Sequence, residues 1–152
     1  MMTEDTQLAA VRKELLGVAR ELLGTDFENG ASIGFGTGPP LTIDCSGLVR
    51  WISLRVFNDD GRLVDGKINT IQAAGMYRFL KEVTTPKACD LAFYVPVGML
   101  GPPTHVMVVT EHGGLIGACP EIRRVHEYNS LMYYPEHWKF RGFRAFPLTP
   151  FP

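Results

Sequence analysis

Apolar residues near the start of the chain recur at spacings of three and four. Leu8, Val11, Leu15, Val18 and Leu22 fall on one stripe, which predicts an amphipathic helix over residues 4–23. Glu4 and Asp5 suit its first turn and Gly24 its stop. A second stripe of Leu48, Val49, Ile52 and Val56 predicts a helix over 45–57, closed by the turn residues Asn58, Asp59, Asp60 and Gly61. A third helix is expected over 70–82, opening at Thr70 and weakened by Gly75. Between the first two, residues 24–42 hold too many glycines and prolines for either element and read as a long loop, a length often associated with function. After Pro86 the pattern changes to short apolar runs at 90–95, 104–110, 114–118, 122–128 and 137–146, split by the Pro96–Pro103 segment and by Gly113-Gly114. Helices followed by strands predict an α+β fold, with N-terminal helices packed on an antiparallel sheet of about five strands. The 152 residues fit a single domain, 1–152.

Composition narrows the function classes. Hydrophobic residues make up 45% of the chain and charged residues 20%, enough to build a core without metal or disulfide staples. A net charge of -1 argues against a dedicated nucleic-acid partner. The interleaved aromatic and basic residues of the C-terminal stretch can bind nucleic acid, but they fit equally a last strand with cations outside, the reading favoured here. Trp138 and Phe140 alternate with Lys139 and Arg141, as in a strand with one face in the core. No apolar run is long enough for a membrane span. Charges scattered through residues 1–23 leave no signal-peptide core, so the chain reads as cytoplasmic when synthesised and delivered by a non-classical route, or as trimmed. The glycine-rich Gly34-Phe35-Gly36-Thr37-Gly38 is not followed by Lys-Ser/Thr and reads as loop, not as a phosphate cradle. No cofactor and no metal are expected: the cysteines Cys45, Cys89 and Cys119 form no CxxC pair, and the histidines show no HxH or HxxxH spacing. Three cysteines leave at least one unpaired in a monomer, and a Cys89–Cys119 bridge stays open.

The chemistry concentrates in Asp44-Cys45-Ser46-Gly47-Leu48-Val49, where the loop runs into the second helix. A thiol there faces unpaired backbone N–H groups and the positive end of the helix dipole, both of which favour thiolate. The same groups can hold an oxyanion, and Asp44 can cap the helix. On placement alone, a small buried cysteine is an equally good reading. A nucleophilic cysteine needs a base. His105 opens the apolar strand Thr104-His105-Val106-Met107-Val108-Val109, which suits a site at a sheet end. His112 lies in a turn, and His126 and His137 are flanked by charge, so these three read as surface residues.

The ordering of Asp44-Cys45-Ser46-Gly47-Leu48-Val49 before Thr104-His105-Val106-Met107-Val108-Val109 resembles the NlpC-type superfamily of bacterial and phage cell-wall cysteine peptidases. The preceding helix, Thr70-Ile71-Gln72, Asp90-Leu91-Ala92-Phe93-Tyr94 and the aromatic ending at 137–147 fit the same pattern, so the likeness covers roughly residues 7–147. The resemblance implies a papain-like core and a peptidoglycan stem-peptide substrate, often cut after D-glutamate beside a diamino acid. It implies Cys45 as nucleophile, His105 as base, and Asp44 and Ser46 as binders of the substrate's amino end. It also implies a setting as a phage-tail enzyme, an exported effector amidase or a wall enzyme, with an immunity protein or a tail or secretion component as partner. Three positions depart from the family. Gly117 stands where a polar residue usually orients the base, leaving Glu121, a water or a backbone carbonyl as replacements. Phe27 stands where many members carry a substrate-side tyrosine, and Cys89 where glycine is usual before Asp90-Leu91. Two other function classes remain in view: a catalytically degenerate binding module, and a cysteine amidase or thioesterase acting elsewhere.

Overall fold

The computed structural model describes residues 4–31, 39–57, 72–131 and 137–148. In chain order the elements are α1 (Glu4–Glu21), β1 (Asp26–Phe27), β2 (Thr42–Ile43), α2 (Cys45–Phe57), α3 (Ala73–Phe79), β3 (Glu82–Val83), β4 (Leu91–Pro96), β5 (His105–Val109), β6 (Leu115–Cys119), β7 (Arg124–Tyr128) and β8 (Trp138–Arg144). The strands form one sheet in the order β2-β1-β7-β6-β5-β4-β8-β3. The α+β class and the five long strands follow the expected pattern, but the sheet has eight strands rather than about five. The three extra strands are two residues each, too short to leave a period in the sequence. β1 lies inside the expected loop at 24–42 and β2 straddles its end, and because β1 pairs parallel with β2 the sheet is mixed rather than purely antiparallel. The expected helix at 70–82 shortens to α3, its last position, Glu82, opening β3, and residues 70–71 lie outside the described residues. The turn at 58–61 and the glycine run at 34–38 lie outside them too.

Alternation along the central strands divides the core in two. Leu91, Phe93, Val106, Val108, Ile116 and Ala118 join Leu15 and Leu16 of α1, Leu22 just past its end, and Leu48, Val49 and Ile52 of α2. Ala92, Tyr94, Met107, Val109, Leu115 and Cys119 form a second cluster with Trp138, Phe140 and Phe143 packed against it. Burial on both faces explains why these strands read as nearly unbroken apolar runs.

Two local features fix the frame around the site. Asp90 is buried and gathers three donors: Arg12 Nη1 of α1 at 2.9 Å, the Lys87 N–H at 2.8 Å and the Phe146 N–H at 3.0 Å. Cys89, just before it, takes φ +64°, a conformation that favours glycine and accounts for the usual family residue there. All three cysteines are free, so no Cys89–Cys119 bridge forms. The alternation read for the last strand holds from Trp138 to Arg141 and then breaks. Phe93 pairs with Gly142 but Tyr94 with Phe140, so Arg141 is an extra, bulged residue. Beyond the bulge, Arg144 is buried.

Candidate active site

The site is assembled at the junction of α2 and β5. Cys45 is the first residue of α2. Asp44 caps that helix: its Oδ1 accepts the Gly47 N–H at 2.7 Å, and its carbonyl accepts the Leu48 N–H at 3.0 Å. Position 47 must be glycine for this cap, because a Cβ there would lie 2.7 Å from the same carboxylate oxygen. The N–H groups of Cys45 and Ser46 are the first-turn donors left over.

From this position the Cys45 thiol reaches the start of β5 and donates to the Thr104 carbonyl at 3.6 Å. His105 follows directly and lines the same cleft, which encloses about 670 Å³. Asp44, Ser46 and Phe27 line it as well, so five of the six residues singled out from the sequence converge here. The sixth, Glu121, is exposed and does not line the cleft, although its neighbour Pro120 does. His112 and His137 are exposed, and His126 packs edge-on against Tyr128, 4.7 Å between centroids.

The electrostatics differ from the expectation of a ready thiolate. Burial pushes the Cys45 thiol up to about 11, and the Asp44 charge adds to this. The backbone N–H groups of Val106, Ser46 and Cys45 itself act in the opposite direction, as a helix N-terminus should, but they do not outweigh desolvation. Burial also holds the His105 imidazole down, at about 4, with Glu121 pulling weakly the other way. The resting site is therefore a neutral thiol beside a neutral imidazole. His105 Nε2 is buried with no hydrogen-bond partner among the described residues.

A stability prediction follows from that imidazole. The native ring stays neutral down to about pH 4, whereas the unfolded chain protonates it near its ordinary 6.5. The unfolded state binds more protons between these values, so stability falls as pH falls through the window, by on the order of 3 kcal/mol in all. Denaturant titrations from pH 7 to pH 4 should show this loss, and His105→Gln should flatten it; an unchanged slope in the variant would assign it to other groups.

No family model matches the sequence, and no curated protein matches it significantly. Solved structures do match. NlpC1 from Trichomonas vaginalis aligns over 90% of this chain and 44% of its own, with a TM-score of 0.68 and 18% identity. The NlpC/p60 domain of the peptidoglycan hydrolase SagA aligns over 88% of this chain and 97% of its own, with a TM-score of 0.54 and 23% identity. The chain has the NlpC/p60 fold. RipD from Mycobacterium tuberculosis, a non-catalytic NlpC/p60 domain protein adapted to peptidoglycan binding, aligns over 88% of this chain and 95% of its own, with a TM-score of 0.58 and 17% identity. The chain spans less than half the length of the two Trichomonas proteins it matches.

Within this NlpC/p60 frame, the departure at Gly117 acquires a physical cause. A Cβ at 117 would meet the Met107 side chain at 3.0–3.4 Å, so Met107 takes up the space that a side chain at 117 would need. Two rings contact His105: Trp138 of β8, stacked on it with centroids 4.8 Å apart and 23° between planes, and Tyr94 of β4, tilted at 46° with centroids 5.8 Å apart. Trp138 Nε1 donates to Glu121 Oε2 at 3.4 Å, and the Tyr128 hydroxyl donates to Glu121 Oε1 at 3.2 Å. Sequence reasoning had placed Trp138 in the core as an ordinary strand aromatic. Nothing in strand alternation marks which of several aromatics will face a histidine three strands earlier in the chain.

Proposed function

We propose that the chain is a cysteine hydrolase of peptidoglycan stem peptides, with Cys45 as nucleophile and His105 as base. The observation that carries this reading is the placement of the Cys45 thiol. It sits at the N-terminus of α2, bonded to the residue before His105, inside a cleft that also holds the imidazole. Cys45 Sγ attacks the amide carbonyl while its proton passes to neutral His105. The N–H groups of Cys45 and Ser46 receive the oxyanion. His105 then gives the proton to the leaving amine, and water hydrolyses the thioester. Because the resting pair is neutral, proton transfer accompanies attack instead of preceding it. Asp44, Ser46 and Phe27 line the side of the cleft assigned to the amino end of the substrate. The bond cut in this reading joins D-glutamate to a diamino acid. Incubation of purified sacculi with the protein should release soluble fragments bearing a new diamino-acid amino terminus. Retention of the protein on sacculi with no such release would instead support the binding-module reading, which the missing polar group at 117 favours.

In the same reading, Trp138 positions the base by stacking and Glu121 acts through Trp138 and through its charge. Glu121→Gln should shift the acidic limb of kcat/KM to lower pH, because the charge that raises the His105 pKa is gone. Trp138→Ala should lower kcat by roughly tenfold to a hundredfold, with a smaller change in KM. An unmoved acidic limb in Glu121→Gln would remove Glu121 from the machinery.

A further inference from the structure

The cleft continues beyond the nucleophile. Ala74 lines both it and a second groove of about 610 Å³, and Pro103 of the first is followed back along the chain by Pro102 of the second. Three arginines line this extension, Arg78, Arg141 and Arg144. No carboxylate among the described residues forms a salt bridge with any of them. Glu82, the β3 register partner of Arg144, is exposed and unpaired with it.

The arrangement is built and held. In a regular strand, Arg141 and Arg144 would point to opposite faces, because three positions is an odd number. The bulge at Arg141 resets the alternation so that both line one groove, and Gly142 supplies the φ of +125° that the bulge requires. Arg144 is buried yet charged. Its Nε donates to the Tyr77 carbonyl at 3.0 Å and its Nη1 to the Phe143 carbonyl at 3.0 Å, and its guanidinium carbon sits 3.8 Å over the Tyr77 ring. Arg141 Nη1 donates to the Gly101 carbonyl at 3.0 Å, and the Tyr77 hydroxyl donates to the Arg141 carbonyl at 3.2 Å. Among the described residues, the remaining donors of both side chains, and all of those of Arg78, have no partner and are open to a ligand. Preorganised guanidinium forks match a carboxylate geometrically and lose little entropy on binding it.

We propose that this groove is a carboxylate-binding subsite for the part of the peptide that leaves as the amine, so that the site selects stem peptides with a free carboxylate beyond the cut bond. The assignment rests on the hydrolase reading for its direction: the amino end lies toward Asp44, the carbonyl at Cys45, and the leaving part runs past Ala74. The test is a titration of the Cys45→Ala protein with two tetrapeptides, L-alanyl-γ-D-glutamyl-L-lysyl-D-alanine and its C-terminal carboxamide. The free carboxylate should bind about tenfold to a hundredfold more tightly. Arg78→Gln and Arg141→Gln, both at exposed positions, should together abolish that preference without lowering the melting temperature. Equal affinities, a preference that survives the double substitution, or no binding of either peptide would each overturn the subsite. Hydrolysis of the same peptides by the unaltered protein reads the catalytic proposal separately. Cleavage without carboxylate preference keeps the hydrolase and removes the subsite, whereas preferential binding without cleavage does the reverse.

Discussion

Cys45→Ala is expected to reduce release of soluble fragments from sacculi by about four to six orders of magnitude, to the level of a site that still binds but has no nucleophile. Alanine leaves the cap, the cleft and His105 in place, and water in the same position lacks a covalent route through a thioester. Stability should change little, within about 1 kcal/mol, because among the described residues the hydrogen bond lost is the long one to the Thr104 carbonyl. Cys45→Ser should be nearly as inactive, since a hydroxyl in this position is a weaker nucleophile than a thiol beside an imidazole held at about 4. The measurement is new amino termini per sacculus over time, with melting curves as the control for folding. Undiminished release by a folded Cys45→Ala protein would end the cysteine-hydrolase reading.

The second large effect concerns stability. Asp90→Ala is expected to cost about 3–5 kcal/mol, because it strands a largely buried guanidinium and two backbone donors at once. For a chain of 152 residues that corresponds to a fall in melting temperature of roughly 10 °C or more. Asp90 ties α1 through Arg12, the entry to β4 through Lys87, and the C-terminal segment through Phe146, so its loss loosens three chain segments. Arg12→Leu combined with Asp90→Ala should recover part of the loss, since no unpaired charge remains in the pocket. A melting temperature within 2 °C of the parent for Asp90→Ala would show that water replaces the carboxylate at little cost.

Much of this was legible before any coordinates. The period of 3.6 in Leu8, Val11, Leu15, Val18 and Leu22 gave α1 to within two residues, because a long helix must repeat its buried stripe many times. Five strands were legible for the same reason. β1, β2 and β3 were not, since a two-residue strand is defined by the partner it finds and not by its own pattern. Cys45 and His105 stood out because their chemistry depends on local placement at a helix start and a strand start. Strand alternation offered Glu121 as a partner for the base; in the structure it lies outside the cleft, bonded to Trp138 and Tyr128, contacts that alternation does not record.

The sequence alone determined the α+β order of elements, the capped helix carrying Cys45, and the strand opening with His105, all consequences of nearest-neighbour periodicity and capping. Tertiary structure decided three things. It turned the expected thiolate into a neutral thiol, because desolvation depends on what covers the sulfur. It set Trp138 against His105 in place of a side chain at 117, because Met107 occupies that space. It brought Arg78, Arg141 and Arg144 to one groove, because a single bulged residue reset the facing of the last strand. Each depends on contacts between residues far apart in the chain, which no local pattern records.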